Sequence, residues 1–229
     1  MTCRSTPAER ANILNKIADR IEAGTFLAAI DKLDHLARLG VTALELMPLA
    51  DFQGRRNWGY DGVLPFAPDS AYGRPEDLKA LIQAAHDRGL MVFLDVVYNH
   101  FGPEGNFLPV YAPQFFNEAH RTPWGAAINF DGEGSRWVRE YFIRHALYWL
   151  GEYRFDGLRF DAVHAIIDES PRHILEEICG SAPAGKHLVL ENDANQARFI
   201  GPGKYTAQWN DDAHHAPNAP ALAKEAPVG

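Results

Sequence analysis

Asp156-Gly157-Leu158-Arg159-Phe160-Asp161-Ala162-Val163-His164 is the stretch whose reading decides the fold. It reads as a short buried strand that turns polar at its end. Side chains alternate faces along a strand, so Arg159 and Asp161, two apart, point the same way. A guanidinium beside a carboxylate keeps that carboxylate ionised at neutral pH. An ionised carboxylate is what nucleophilic chemistry at carbon requires. A structural ion pair at a strand end would leave the same pattern, so the stretch alone admits both readings.

Working outward, strands and helices alternate along the chain. Residues 187–190 form the next strand and end in Glu191-Asn192-Asp193. Upstream, residues 91–97 form a strand that runs into Tyr98-Asn99-His100, and residues 41–47 form one closed by Pro48. Residues 205–209 give a weaker strand leading into Asn210-Asp211-Asp212-Ala213-His214-His215. Helices are expected over residues 6–24, opened by Thr6-Pro7-Ala8-Glu9, and over 26–39, stopped by Gly40. Others run from Pro75 to near Gly89, over 136–153, and from a Ser170-Pro171 cap to near Gly180. Residues 101–135 have no clear period and are expected to be a functional loop or small subdomain.

Strand cores apolar on both faces, separated by helices, predict an α/β fold with a parallel sheet. A doubly wound sheet usually carries a glycine-rich phosphate turn after an early strand. None follows residues 41–47. Instead, four successive strands end in polar residues, as the strands of a barrel do. The expected fold is therefore a TIM-type (β/α)8 barrel.

Composition narrows the class. The 229 residues carry a formal charge of −8, which argues against nucleic acid and anionic membrane as partners. The two cysteines, Cys3 and Cys179, are too few for a disulfide framework. No apolar run has the length of a membrane span, and the first residues lack the apolar core of a signal peptide. A cytoplasmic setting is the expectation.

Asp161 and Glu191 fall at the ends of neighbouring strands. Two carboxylates so placed suit glycoside chemistry, one attacking the sugar carbon and the other protonating the leaving oxygen. Arg159 favours ionised Asp161, while burial and a neighbouring carboxylate would keep Glu191 protonated. Unrelated acids at strand ends are the bland alternative. His100 is placed to bind a sugar hydroxyl, and Asp95 to buttress Arg159 as a structural ion pair. Tyr60 and Asp61, in Trp58-Gly59-Tyr60-Asp61, suit a sugar's apolar face and its hydroxyls. Asp211, Asp212, His214 and His215, with Asp161 and His164, also offer metal-ligand chemistry. No His-x-His follows the first strand, so the two histidines read better as polar lining of a cleft.

Residues 95–100 (Asp-Val-Val-Tyr-Asn-His), 157–164 (Gly-Leu-Arg-Phe-Asp-Ala-Val-His) and 190–193 (Leu-Glu-Asn-Asp) resemble three signature regions of the alpha-amylase superfamily, glycoside hydrolase family 13. Residues 45–48 (Glu-Leu-Met-Pro), 54–63 (Gly-Arg-Arg-Asn-Trp-Gly-Tyr-Asp-Gly-Val), 161–166 (Asp-Ala-Val-His-Ala-Ile) and 208–215 (Gln-Trp-Asn-Asp-Asp-Ala-His-His) resemble its malto-oligosyltrehalose trehalohydrolase subgroup. That resemblance covers about residues 25–216. It implies Asp161 as nucleophile, Glu191 as acid/base and Arg159 as the group orienting Asp161. It implies substrate contacts from Tyr60, Asp61, His100, His164, Asp211 and Asp212, with Asp95 and Asn99 as support. The implied reaction releases trehalose from maltooligosyl trehalose with retention, and without a cofactor or metal. Branching or other superfamily chemistry, and an inert glucan-binding remnant, are the alternatives.

The chain also departs from the family pattern. No Asn-His-Asp motif, the place of a third catalytic carboxylate, occurs in it. Residues 1–24 stand where a first strand is expected, and residues 217–229 read as an irregular tail. The expected barrel is therefore incomplete, about strands two to six. Open barrel edges would favour self-association, and a missing carboxylate would weaken hydrolysis.

Overall fold

The structure is a computed structural model that describes residues 24–194 and 196–209. The helix expected over residues 6–24 and the tail 217–229 lie outside the described residues, Gly24 apart.

A five-stranded parallel sheet forms the centre. Its strands are β1 (Ala43–Leu46), β4 (Met91–Val96), β7 (Gly157–Phe160), β8 (His187–Leu190) and β9 (Ala207–Gln208). They pair in that order, and every pair is parallel. Strand order thus follows chain order with no reversal. A doubly wound sheet would reverse at a switch point, so the fold is an arc of a barrel. The incomplete TIM-type barrel read from the strand ends is what the described residues form.

The register explains the division of labour. Leu44, Val92, Leu94, Val96, Leu158, Phe160, Leu188 and Leu190 point to one face and form the core with the helices. The helices Pro75–His86, Ser135–Gly151 and Ile174–Ser181 supply its outer layer. The opposite face carries Glu45, Phe93, Asp95, Gly157, Arg159, His187 and Val189, in register across β1, β4, β7 and β8. That inner face carries the charges.

Gly157 shows how tightly the inner face is built. Phe93 and His187 stack across it at 5.7 Å between ring centroids. A Cβ at Gly157 would lie 2.6 Å from the His187 carbonyl oxygen and 3.1 Å from Phe93. Gly157→Val is expected to cost about 1–3 kcal/mol by overpacking. Denaturant titration checks this, and an unchanged midpoint would show that the stack moves aside freely.

Three expectations are corrected. The helix expected over residues 26–39 is two short helices, Phe26–Ile30 and Leu33–Arg38. The break falls at Asp31 and Lys32, which are exposed and have nothing to bury. The strand expected over 205–209 is regular only at Ala207–Gln208, flanked by N–H bonds from Thr206 to Leu188 O and from Trp209 to Leu190 O, with an isolated bridge at Tyr205. Ser170 does not cap the following helix, which begins at Ile174. His173 is the N-cap, its Nδ1 accepting from Leu175 N–H at 3.2 Å, and the Asp168 carboxylate adds to it by accepting from Ile174 N–H at 2.5 Å.

The aperiodic segment holds a short helix, Leu108–Tyr111, and a hairpin of β5 (Phe116–Thr122) and β6 (Gly125–Ile128). The small antiparallel pair β2 (Ala50–Asp51) and β3 (Leu64–Pro68) brackets the loop carrying Tyr60. Buried Arg139 ties the barrel to the hairpin segment. It donates to Phe130 O at 2.7 Å, Asp168 at 2.8 Å and Arg172 O at 2.6 Å.

Candidate active site

Arg159 is the hub of the inner face, at 2% exposure. Its Nη1 donates to both Asp95 oxygens at 2.8 Å and to Asp161 Oδ1 at 2.9 Å. Its Nη2 lies 2.8 Å from Glu191 Oε2. One guanidinium therefore holds three carboxylates from three adjacent strands. The strand alternation read from the sequence brings Arg159 and Asp161 together as expected, and Glu191 joins them.

Each carboxylate has further partners. Asn99 Nδ2 donates to Asp161 Oδ2 and to the Asp161 carbonyl, both at 2.9 Å. The Tyr60 hydroxyl donates to Asp95 Oδ2 at 2.7 Å. Ala162 N–H donates to Glu191 Oε2 at 2.8 Å. Ala162 has φ +39°, the left-handed region, where alanine is rarely found. A strained residue directly after Asp161 marks a place where geometry outweighs local backbone preference.

The Tyr60 loop is rigidly seated. Gly59 has φ +97°, and a Cβ there would lie 1.9 Å from the Pro48 carbonyl oxygen, so only glycine fits. Asn57 accepts from Gly59 N–H at 2.7 Å and donates to Asp61 at 2.6 Å. Asp61 is exposed. His100 pairs with Asn99 through Nδ1 and stacks on Trp124 at 4.3 Å.

The electrostatics divide the roles. Burial pushes the Glu191 carboxyl above the ordinary range, and nearby Asp161 adds to this. Ala162 N–H and Arg159 pull it back in part. Burial likewise pushes Asp95 up, to about 7, against the pull of Arg159 and Tyr60. Burial lowers His100, with Asp161 and Asp61 opposing, so a neutral imidazole is favoured. Burial opposes the charge on Arg159, but Asp95, Glu191 and Asp161 more than reverse this and hold it protonated.

A stability consequence follows for Glu191. Its folded carboxyl lies above the unfolded value, so folding favours the neutral form. That contribution is fully present below the ordinary glutamate range and is lost as pH rises through the folded value. Glu191→Gln, which mimics the neutral acid, is expected to melt no lower than the parent at neutral pH. The gap should close as pH falls below the ordinary glutamate range. A lower melting temperature at neutral pH would contradict this.

His164 is not drawn into the cluster and pairs with Asp193 at 3.4 Å. Asp211 and Asp212, with His214 and His215, lie outside the described residues. Glu45, Trp124 and Trp209 were not singled out as site residues. Glu45 sits on the inner face of β1, where burial and Glu191 raise its carboxyl while Arg159 opposes. Its signal was a lone acid within an apolar strand. Trp124 lies in the aperiodic segment, which offered none. The Arg159 guanidinium carbon sits over the Trp209 ring, 4.3 Å from its centre.

A family model described as alpha amylase, catalytic domain, matches residues 12–112. The arc of parallel strands and the relatives below agree with it, and the chain is similar to the alpha-amylase family. Within that family it is similar to malto-oligosyltrehalose trehalohydrolases. It is 48% identical to that of Saccharolobus solfataricus over 202 residues, covering 86% of this chain and 36% of the relative. It is 47% identical to that of Deinococcus radiodurans over 195 residues, covering 84% of this chain and 32% of the relative. A crystal structure of a putative alpha amylase from Salmonella typhimurium superposes with a TM-score of 0.81 at 50% identity. That match covers 86% of this chain and 35% of the other. The chain thus spans about a third of the length of the curated relatives it matches.

Proposed function

We propose that this chain carries the nucleophile and acid/base of a retaining α-glucan hydrolase that releases trehalose from maltooligosyl trehalose. The observation that carries this reading is the shared guanidinium, which bonds Asp161 at 2.9 Å and Glu191 at 2.8 Å from adjacent strands. Asp161, held by Arg159 and Asn99, attacks the anomeric carbon. Glu191, raised by burial, gives its proton to the leaving oxygen. A covalent glycosyl carboxylate forms as the glycosidic bond breaks. Water, deprotonated by Glu191, then cleaves it and restores both groups. His100, Tyr60 and Asp61 line the sugar site, and the resemblance adds His164, Asp211 and Asp212 as further substrate contacts. Asp95 and Asn99 hold Arg159 and Asp161 in place.

Similarity to the trehalohydrolases supports the choice of substrate. A second reading has its own support: 38% identity over 146 residues to a 1,4-alpha-glucan branching enzyme of Picrophilus torridus. Product analysis separates the two. Trehalose released from maltooligosyl trehalose, with plain amylose left unbranched, is expected. New branch points in amylose without trehalose release would favour the second reading, and neither product would favour a glucan-binding remnant.

The scarcity of cysteine supports a cytoplasmic setting. Among the described residues, no helix is long and apolar enough to cross a membrane. Among the described residues β1 and β9 are the outermost strands of the sheet, and their outer edges are the surfaces through which copies would associate. Sedimentation is expected to show mass above the monomer, and a monomer at all concentrations would contradict this.

A further inference from the structure

Arg159 leaves one requirement unmet by hydrogen bonding. Its two Nη atoms are taken by Asp95, Asp161 and Glu191. Its Nε, buried with the rest, has no hydrogen-bond partner, and among the described residues it is the one such buried side-chain atom. A buried unpaired donor is normally costly. All three acceptors grip the guanidinium at its edge, so the hydrogen bonds alone do not stop it from tilting.

The guanidinium carbon lies over the indole of Trp209, 4.3 Å from the ring centre. Backbone pairing fixes its position: Gln208 is in register with Leu190, and Trp209 N–H donates to Leu190 O at 2.8 Å. Trp209 is therefore held beside Glu191. The side chain is 43% exposed, so burial of its own apolar surface is a poor reason for it to lie there. An aromatic face attracts a cation, most strongly when water is excluded.

We propose that Trp209 is a positioning residue whose indole covers Arg159 and keeps the guanidinium flat between the Asp161 and Glu191 carboxylates. This rests on the reading of those carboxylates as nucleophile and acid. Covering the face keeps water from competing for the Nη protons and fixes the spacing of the two reacting groups.

Side-chain ¹⁵N–¹H spectra of the full chain test this without requiring turnover, with Arg159→Lys assigning the Arg159 Nε–H signal. In the parent, that signal should be shifted upfield by the ring current and exchange slowly with water. Trp209→Leu should abolish the shift and speed exchange roughly tenfold, while Trp209→Phe should retain most of both. On maltooligosyl trehalose, Trp209→Leu should lower kcat by a similar factor with KM little changed, and Trp209→Phe should restore it.

An unshifted Arg159 signal in the parent, or unchanged exchange in Trp209→Leu, would overturn the proposal. Should the leucine variant fail to fold, the parent and phenylalanine spectra decide alone. A parent chain that releases no trehalose counts against the proposed function, while the spectra still decide the role of Trp209.

Discussion

Arg159→Met is expected to remove about 3–5 kcal/mol of stability, the scale of stranding buried charges when their partner is lost. Arg159 is 2% exposed and Asp95 4%, so water reaches neither to replace the lost contact. The substitution leaves Asp95, Asp161 and Glu191 converging on an apolar group. Asp95 and Glu191, already pushed up by burial, would take up protons rather than stay charged, so the loss should grow as pH rises above the carboxylate range. Lysine should rescue only in part, because a point charge cannot span three carboxylates as a planar fork does. Denaturant unfolding of the parent and both variants measures this. A loss under about 1 kcal/mol for methionine, the scale of exposed pairs, would mean that the cluster is solvated.

Asp161→Asn and Glu191→Gln are each expected to lower trehalose release by about 10⁴-fold or more, as loss of one member of a cooperating set does. The two lesions should nonetheless differ. Asparagine cannot form the glycosyl ester, so Asp161→Asn should stay inactive on any substrate. Glutamine cannot donate a proton, but a fluoride leaving group needs little protonation. Glu191→Gln should therefore recover bond cleavage on an α-glycosyl fluoride. The double variant should be little worse than Asp161→Asn alone. Equal behaviour of both variants on the fluoride would overturn the division of roles. The pairing of Glu191 with Ala162 N–H, at 2.8 Å, fixes its carboxyl for that task.

Much of the site was legible because strand periodicity is rigid. Once residues 157–160 form a strand, Arg159 and Asp161 must share a face, and Asp95 and Glu191 follow from register. Tyr60 joined the cluster, although through its hydroxyl on Asp95. The left-handed Ala162 left no mark in the sequence, since alanine signals no positive φ. The Trp209 contact was hidden because it needs the pairing of a two-residue strand, too short to show a period. The His173 cap is hidden because Ser170-Pro171 has the commoner local signature, and the Asp168 support is hidden because that acid is held by Arg139 from a distant helix. The break at Asp31 and Lys32 had no glycine or proline to announce it.

Mapping the site of covalent labelling tests most directly whether Asp161 is the carboxylate that bonds to sugar. An epoxyalkyl maltooligosaccharide alkylates a nucleophilic carboxylate in a sugar site without requiring turnover. Peptide mass mapping should place one adduct on Asp161, with labelling lost in Asp161→Asn and blocked by excess maltooligosaccharide. An adduct on Asp95, Glu45 or Glu191, or no adduct at all, would contradict it.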